Sequence, residues 1–342
     1  MRKYKCYVQY QSEISVLLIA SNDTIMKPPY SITPQILRSI SDISIKIGEI
    51  NANYLNRQSP QLRKSNRIKT IHSSLQIEGN SLSIDQITAL VENKRVIGPK
   101  KDLKEVLNAI EVYDSLHTYN SINEKSFLKA HKLLMNGLAT NPGKYRTTGV
   151  GIVKGSQVKH IAPPASNVTY LMKDLFSYLK SNKELTLIKS SVFHYELEFI
   201  HPFSDGNGRM GRLWQTLILM NEFPVFEFLP FETLISKKQK EYYTVLSKSD
   251  KTGNSTAFIE FMLKIIDDSL GQLLQYKNRI MTDIDRIEYY LSLGLKEFSR
   301  KDYMNVFKDI SSATASRDLN KAIKLKKIIP IGTKNTTKYK IT

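Results

Sequence analysis

The sequence predicts a mainly α-helical protein with one β-hairpin and a small C-terminal unit of helices and strands. Three observations predict this fold class. Apolar residues recur at helical spacing along most of the 342-residue chain. Capping boxes at 83–86 and 121–124 each begin such a helical run. Short runs of β-branched residues on either side of a glycine-containing turn occur near 150–161 and 328–341.

The composition is that of an ordinary globular protein, with 41% hydrophobic and 24% charged residues. No apolar run is long enough to span a bilayer, so no membrane partner is expected. Cys6 is the single cysteine, which excludes an internal disulfide framework and is typical of a reducing compartment. A cytoplasmic protein with more than one domain is therefore expected.

The formal net charge of +18 is unevenly distributed. The last 47 residues hold twelve Lys or Arg against four Asp or Glu, a net charge of +8. A second basic run, 57–69, contains five Lys or Arg and no acid. Two interpretations stay open: solvated helix faces, or an acidic partner such as nucleic acid or ATP.

The N-terminal part of the chain is predicted to be helical. Isoleucines and leucines fall on one stripe from Pro34 to about Leu55, and a further helix covers 102–116. Ser83 and Ser121 are the expected N-caps of two more helices. Residues 1–25 begin with basic residues, but polar residues interrupt the apolar run that follows. They favour an extension or an upstream start codon over an export signal.

The middle of the chain contains the predicted hairpin, at about 144–164. β-branched residues flank the turn Lys154-Gly155-Ser156, and two prolines close the unit. Ser166 is expected to cap the next helix, which runs to about Lys180. The segment 187–200 fits both helical and strand spacing. Helices are predicted again at 237–246 and 258–274.

The segment 201–212, HPFSDGNGRMGR, combines groups that a core segment would not hold. Buried charges and helix-breaking glycines are both costly. Its glycines let backbone N–H groups approach an anion closely. The apolar run after it predicts a helix whose positive N-terminal end faces the same anion. The segment therefore predicts a polyphosphate site.

The charged side chains of this segment fit that site. Arg209 and Arg212 lie three residues apart on one helical face and can each fork onto phosphate oxygens. Asp205 offers a hard oxygen ligand for Mg²⁺ shared with phosphates. His201 is the side chain of this segment that is suited to general base catalysis near neutral pH.

The same segment also satisfies the pattern G-x-G-x-x-G through Gly206, Gly208 and Gly211. That fingerprint requires a preceding strand within a βαβ unit. The His-Pro-Phe entry and the Asp directly before the first Gly are foreign to it. We therefore reject dinucleotide binding.

HPFSDGNGRMGR matches the signature of Fic (Fido) domain proteins, HPFx[DE]GNGRxxR, at every defined position, and the resemblance extends from about Met26 to the C-terminus. It implies an N-terminal helical region at 26–120 and a Fic helical core at 121–290. The hairpin would be the flap, whose edge receives a segment of the target protein as an added strand. The implied activity is protein adenylylation, the transfer of AMP from ATP to a Ser, Thr or Tyr hydroxyl with release of pyrophosphate.

The resemblance also implies a role for each signature residue. His201 would be the general base, and Asp205 would hold Mg²⁺. Phe203 is interpreted as a core anchor for the loop. Asn207 and Gly208 would stabilise the α-phosphate, while Arg209 and Arg212 would hold the β- and γ-phosphates. The full expected set of ATP-binding residues is Gly206, Asn207, Gly208, Arg209, Met210, Gly211, Arg212 and, at the adenine, Tyr243.

A second motif, SLQIEGN at 74–80, contains a glutamate near a predicted helix C-terminus. That end of the helix dipole repels a carboxylate, which suggests another partner for Glu78. The segment resembles the inhibitory motif of Fic proteins, [ST]xxxE[GN]. By that resemblance Glu78 would pair with Arg212 and block the γ-phosphate position, and Ser74 would steady the Glu78 carboxylate. An ordinary solvent-facing carboxylate is the alternative.

The tail, 294–342, resembles a winged helix: two short helices, then strand, turn and strand. Ser312, Thr314, Ser316 and Arg317 would begin the recognition helix, with Lys334 and Lys338 in the wing. A docking or dimerisation module is the alternative, so DNA binding and homo-oligomer formation both stay open. Two other functions also stay open: removal of AMP from a modified protein, and a nucleotide-sensing DNA-binding regulator.

Overall fold

The computed structural model describes residues 28–52, 60–154, 157–181, 183–278, 283–291, 295, 297–307, 310–332 and 337–341. The predicted N-terminal extension, the turn residues Gly155 and Ser156, and Lys334 lie outside the described residues. Within the described part, no helix combines the length and the apolar character needed to cross a membrane.

The chain is mainly α-helical, as predicted. The helices in chain order are α1 (Pro34–Ala52), α2 (Pro60–Ile77), α3 (Ile84–Val91), α4 (Lys100–Asp114), α5 (Glu124–Leu134), α6 (Ala165–Lys180), α7 (Thr186–Ile200), α8 (Asn207–Glu222), α9 (Glu232–Lys237), α10 (Gln239–Thr252), α11 (Thr256–Asn278), α12 (Asp283–Leu291), α13 (Arg300–Val306) and α14 (Ser312–Lys324). Short 3₁₀ helices lie at Leu116–Thr118 and Pro224–Glu227.

The centre of the core is the pair α7 and α8, which pack along each other. Both helices are buried on nearly all sides, because other helices surround them. Full enclosure explains why 187–200 was ambiguous in sequence: its apolar residues are not confined to one face. Trp214 is fully buried and its indole N–H donates to the Ser121 carbonyl at 2.8 Å, which links α8 to the segment before α5.

The outer helices bring the second motif to the core. Helix α11 packs along α1 and α7, while α2 packs against α9, α3 and α4. Helix α2 ends at Ile77, and Gly79 follows with φ of +90°, a left-handed conformation that glycine adopts without strain. The predicted helix C-terminus within 74–80 is thus confirmed, and Glu78 lies just beyond the helix end.

Two of the three predicted N-caps were wrong, and the third is confirmed. Ser83 forms the full capping box with Gln86. The cap of α5 is Asn123, whose side chain accepts from the Ser126 N–H, because Ser121 lies too early and is held by α8. Ser166 does not cap α6, since the helix begins at Ala165 directly after a proline.

The strands form two small antiparallel sheets. β1 (Gly151–Lys154) and β2 (Gln157–Ile161) are the predicted hairpin. β3 (Glu297–Ser299), β4 (Ile328–Ile331) and β5 (Lys338–Ile341) pair in the order β3-β5-β4. Together with α12, α13 and α14, this second sheet encloses a separate hydrophobic cluster. The predicted two helices followed by two strands are present, and β3 before them was not predicted. The assignment of this unit as a winged helix stays a prediction.

Candidate active site

The signature segment folds as a loop between two helices. Helix α7 ends at Ile200, and α8 begins at Asn207. Gly206 caps α8 with φ of +86°, and a Cβ there would stand 2.8 Å from the Met135 sulfur. Only glycine fits both constraints. A helix, not a strand, precedes the loop, which confirms that the dinucleotide fingerprint does not apply.

Phe203 and Asn207 hold the loop in shape. Phe203 is fully buried, which confirms its role as a core anchor. The Asn207 side chain accepts from the Phe203 N–H and donates to the Phe203 carbonyl, each at 2.9 Å. This buried side-chain amide is therefore engaged with the loop backbone, and the expected contribution of Asn207 to the α-phosphate stays a prediction, for its backbone N–H. Its own backbone N–H lies in the first turn of α8.

His131, on α5, is a positioning residue that the sequence analysis missed. Its ring stacks on Phe203 with 3.5 Å between ring centroids. Nδ1 accepts from the Gly143 N–H at 2.8 Å, so Nε2 carries the proton and donates to the Asp205 carbonyl at 3.0 Å. Burial lowers the pKa of His131 to about 4, which keeps the ring neutral. In the sequence, His131 is one of several residues at core-facing positions of an amphipathic helix, and nothing distinguishes it from them.

Arg146 is a second residue that sequence reasoning did not identify. Its buried guanidinium donates to four backbone carbonyls, those of His201, Ile200, Thr148 and Pro163. His201 itself adopts a left-handed conformation, with φ of +49°, at the end of α7. Arg146 therefore fixes this unusual backbone and ties it to both ends of the hairpin.

Arg212 joins the two motifs. It is fully buried, and its Nη2 donates to Glu78 Oε1 at 2.6 Å and to the Ser74 carbonyl at 2.9 Å. The predicted contact between Glu78 and Arg212 is thus present. Ser74 does not steady Glu78 as expected: its hydroxyl accepts from Arg212 Nε at 3.0 Å, because the guanidinium lies beside the last turn of α2. Burial acts to lower the pKa of Arg212, but attraction to Glu78 outweighs it and raises that pKa.

The Glu78 carboxylate lies against the signature glycine. A Cβ on Gly208 would stand 2.5 Å from Glu78 Oε1 and 3.1 Å from Arg212 Nη1. Nη1 is buried and has no hydrogen-bond acceptor among the described residues. A buried donor of this kind is costly unless an acceptor reaches it. The first turn of α8 therefore offers an anion two backbone N–H groups and a charged donor, with a carboxylate in front of them.

Arg209 and Asp205 form the other half of the site. Arg209 is buried and donates to Asp205 Oδ1 at 2.9 Å and to Glu105 Oε1 at 3.2 Å. The buried Glu105 also accepts from Asn80 at 2.9 Å, so this residue links the second motif to the signature loop. Sequence reasoning missed Glu105, which lies inside an ordinary amphipathic helix.

Asp205 could supply one carboxylate ligand to Mg²⁺. Its side chain is 53% exposed, and Mg²⁺ in nucleotide sites takes one or two carboxylates together with phosphate oxygens and water. In the part of the chain that the structure describes, no group of three or more His, Cys, Asp or Glu is placed so that it could hold a metal ion. The remaining ligands of Mg²⁺ would therefore be phosphate oxygens and water.

Three further residues of the expected ATP-binding set have protein contacts that the structure describes. Met210 is fully buried, and a Cβ added at Gly211 would meet the ring of His194 of α7. Contact of either residue with ATP stays a prediction. Tyr243 is 46% exposed, and its hydroxyl lies 3.5 Å from the Ile77 carbonyl, at the end of α2. Burial raises the pKa of Tyr243 to about 12. Its contact with adenine stays a prediction.

Gly211→Ala should destabilise the protein, because the new Cβ would stand 2.6 Å from the ring of His194. That ring is fully buried and hydrogen-bonded to Gln215 and Tyr242, so it cannot move aside cheaply. We expect a loss of about 1–3 kcal/mol in the free energy of unfolding, measured by urea denaturation. Gly48→Ala is the matched control: it lies in α1 with nothing within 4 Å, so it should be neutral or stabilising. Equal effects of the two substitutions would contradict the packing role of Gly211.

The comparisons with known proteins agree on the class of site. Residues 121–219 match the Fic/DOC family. The crystal structure of a Fic family protein from Desulfovibrio desulfuricans G20 is 39% identical, with a TM-score of 0.72, and the match covers 93% of this chain and 98% of that chain.

Curated relatives carry more specific names. "Protein adenylyltransferase fic-1" of Caenorhabditis elegans is 28% identical over 274 residues, which is 75% of this chain and 50% of that protein. "Probable protein adenylyltransferase aq_aa38" of Aquifex aeolicus is 29% identical over 255 residues, 68% of this chain and 77% of that protein. The chain spans about half the length of the animal relatives that it matches.

Proposed function

Because this chain belongs to the Fic family, we propose that it is a protein adenylyltransferase, which transfers AMP from ATP to a hydroxyl group of a target protein. The names of its curated relatives support this activity. The observation that carries the proposal is the buried Nη1 of Arg212 beside Gly208, at the positive end of α8, which has no acceptor among the residues that the structure describes. A phosphate of ATP would supply the missing acceptor.

ATP would lie across the first turn of α8. Arg212 would hold the γ-phosphate, and Arg209 would exchange its bond to Asp205 for the β-phosphate. The backbone N–H groups at 207 and 208 would stabilise charge on the α-phosphate. Asp205, released from Arg209, would hold Mg²⁺, which when bound offsets the charge of the phosphates.

The reaction requires one proton transfer by the protein. His201 would accept the proton of a Ser, Thr or Tyr hydroxyl, whose oxygen would attack the α-phosphorus in line. The bond from that phosphorus to the bridging oxygen breaks, and pyrophosphate leaves. We infer that the target segment pairs with the edge of the β1–β2 hairpin, which brings the hydroxyl to the base.

We further propose that Glu78 inhibits this activity. Its carboxylate occupies the space in front of Gly208 and pairs with Arg212, the group assigned to the γ-phosphate. A second negative charge at that position would be repelled, so ATP could bind productively only after Glu78 moves away. Glu78 is 31% exposed and lies after the end of α2, which leaves it room to move. The γ-phosphate would then replace the carboxylate as the partner of the buried Arg212, which offsets the cost of breaking that ion pair.

The proposal is tested by incubating the purified protein and a cell lysate with Mg²⁺ and ATP labelled at the α- or the γ-phosphate. Transfer of the α-label alone to protein is expected, and mass spectrometry should find AMP on a hydroxyl residue. Absence of any AMP adduct, in the wild type and in Glu78→Gly, would contradict the proposal. Loss of AMP from a previously adenylylated lysate would instead support the removal reaction.

DNA binding by the C-terminal unit is a second candidate activity. The observation that favours it is the exposed Arg317 on α14, in a tail with a net charge of +8. We expect fluorescence anisotropy to show salt-dependent binding of duplex DNA. Removal of 294–342 should abolish that binding while AMP transfer continues. A tail-deleted protein that loses both activities would favour a DNA-binding regulator.

A further inference from the structure

A second basic cavity lies near the start of α2, about two helical turns before Ser74, the residue of α2 that contacts the signature segment. Its volume is about 290 Å³, close to the lower end of the range of roughly 300–1,000 Å³ for small-molecule sites. Three cations of α2 line it, Arg63, Lys64 and Arg67. They belong to the basic run 57–69, which the proposed catalytic mechanism does not use.

The floor of the cavity is apolar and aromatic. Tyr113, Leu116 and Phe228 line it, and each is nearly fully buried. The Arg63 guanidinium carbon lies 5.2 Å from the centroid of the Phe228 ring, within the range of a cation–π contact. A flat or apolar group would fit the floor, while an anionic group would reach the cations above it.

The present partners of these cations leave them able to bind an anion. Lys64 pairs with Glu92 at 2.9 Å and Arg67 Nη1 with Asp114 at 2.7 Å, and all four side chains are between 33% and 56% exposed. Arg67 Nη2 also donates to the Tyr113 carbonyl, which leaves Nη1 as the group that can exchange its partner. Ion pairs at such exposure contribute little, so exchanging a partner costs little. Glu227 is the one acid among the described lining residues, and it contacts His117 at 3.1 Å. Positive charge therefore dominates the lining.

We propose that this cavity binds a small organic phosphate. Its phosphate group contacts Arg63, Lys64 and Arg67, and its apolar body lies on Phe228 and Tyr113. Arginine and lysine side chains that converge from one helix face suit a phosphate's three acceptor oxygens. The site lies on the helix that carries Ser74 and leads to Glu78, but its existence does not depend on the proposed transferase activity.

Isothermal titration of the full-length protein with phenyl phosphate tests this site, with inorganic phosphate as the comparison. Phenyl phosphate should bind saturably, and more tightly than inorganic phosphate because it also covers the aromatic floor. The double variant Arg63→Gln, Lys64→Gln should weaken the binding by at least about tenfold. Both side chains are exposed, so the variant should keep the wild-type melting temperature.

Lys69→Gln is the control, because it removes one positive charge from α2 outside the cavity lining and should leave the affinity unchanged. Equal affinities for the double variant and the wild type would overturn the proposal, since the ligand would then bind elsewhere, including at the signature loop. Absence of saturable binding to the wild type would also overturn it.

Discussion

Replacing Glu78 with glycine should raise the rate of AMP transfer by roughly 5- to 150-fold, the range that corresponds to a coupling free energy of about 1–3 kcal/mol. The substitution removes the carboxylate that pairs with Arg212 at 2.6 Å and lies against Gly208. Arg212 then has a free charge for the γ-phosphate. Transfer of the α-label from ATP, measured at several ATP concentrations, gives the rate.

Glu78→Gln separates the effect of the negative charge of Glu78 from the effect of the volume that its side chain fills. Glutamine fills the same volume without the negative charge, so its rate should lie between those of the wild type and Glu78→Gly. Loss of the counter-ion of a buried arginine should also lower the melting temperature of both variants, until ATP is added. An unchanged or lower rate in Glu78→Gly would show that Glu78 is not an inhibitor.

Replacing His201 should reduce the rate of AMP transfer by about 10²–10⁴-fold or more, the usual contribution of a positioned general base. Affinity for ATP should persist, because the contacts assigned to the phosphates come from Arg209, Arg212 and the first turn of α8. Isothermal titration with ATP and the labelling assay measure the two quantities separately, best in a Glu78→Gly background.

The choice of substitution at position 201 matters because the backbone there has φ of +49°. Asparagine tolerates this left-handed conformation better than alanine, so His201→Asn removes the base with less strain than His201→Ala. His117→Ala, at a histidine that is 65% exposed, is the control and should keep the full rate. Loss of ATP affinity in His201→Asn would argue against a role confined to proton transfer.

The predictable part of the site is the part that is contiguous in sequence. The twelve residues from His201 to Arg212 carry glycines, charges and a helix start next to one another. Their capacity to bind a polyphosphate could therefore be predicted from the sequence alone. The partnership of Glu78 with Arg212 was expected through the family resemblance, although 134 residues separate the two. Most helices were also predicted to within a few residues, since their apolar spacing is regular.

The residues that sequence reasoning missed act through tertiary contacts. His131 and Glu105 lie in amphipathic helices, where each is one more polar residue at an ordinary position. Arg146 lies in a connecting segment, and the four carbonyls that it binds come from three places in the chain. The error at Ser74 has the same origin, because sequence spacing cannot tell whether a hydroxyl faces the carboxylate or its arginine partner.

The contacts of Arg146 have a consequence for the choice of target residue. One guanidinium holds the carbonyl of His201 together with carbonyls at both ends of the hairpin. Arg146 thereby fixes the position of the hairpin relative to His201. Each residue of a peptide that pairs with the hairpin edge would then lie at a defined distance from the base. A slip of one residue along the strand would move its hydroxyl by about 3.3 Å and turn it to the opposite face. The register of the docked strand on the hairpin would then decide which hydroxyl reaches His201. The modified residue would be selected by its position in that strand as much as by the type of its side chain.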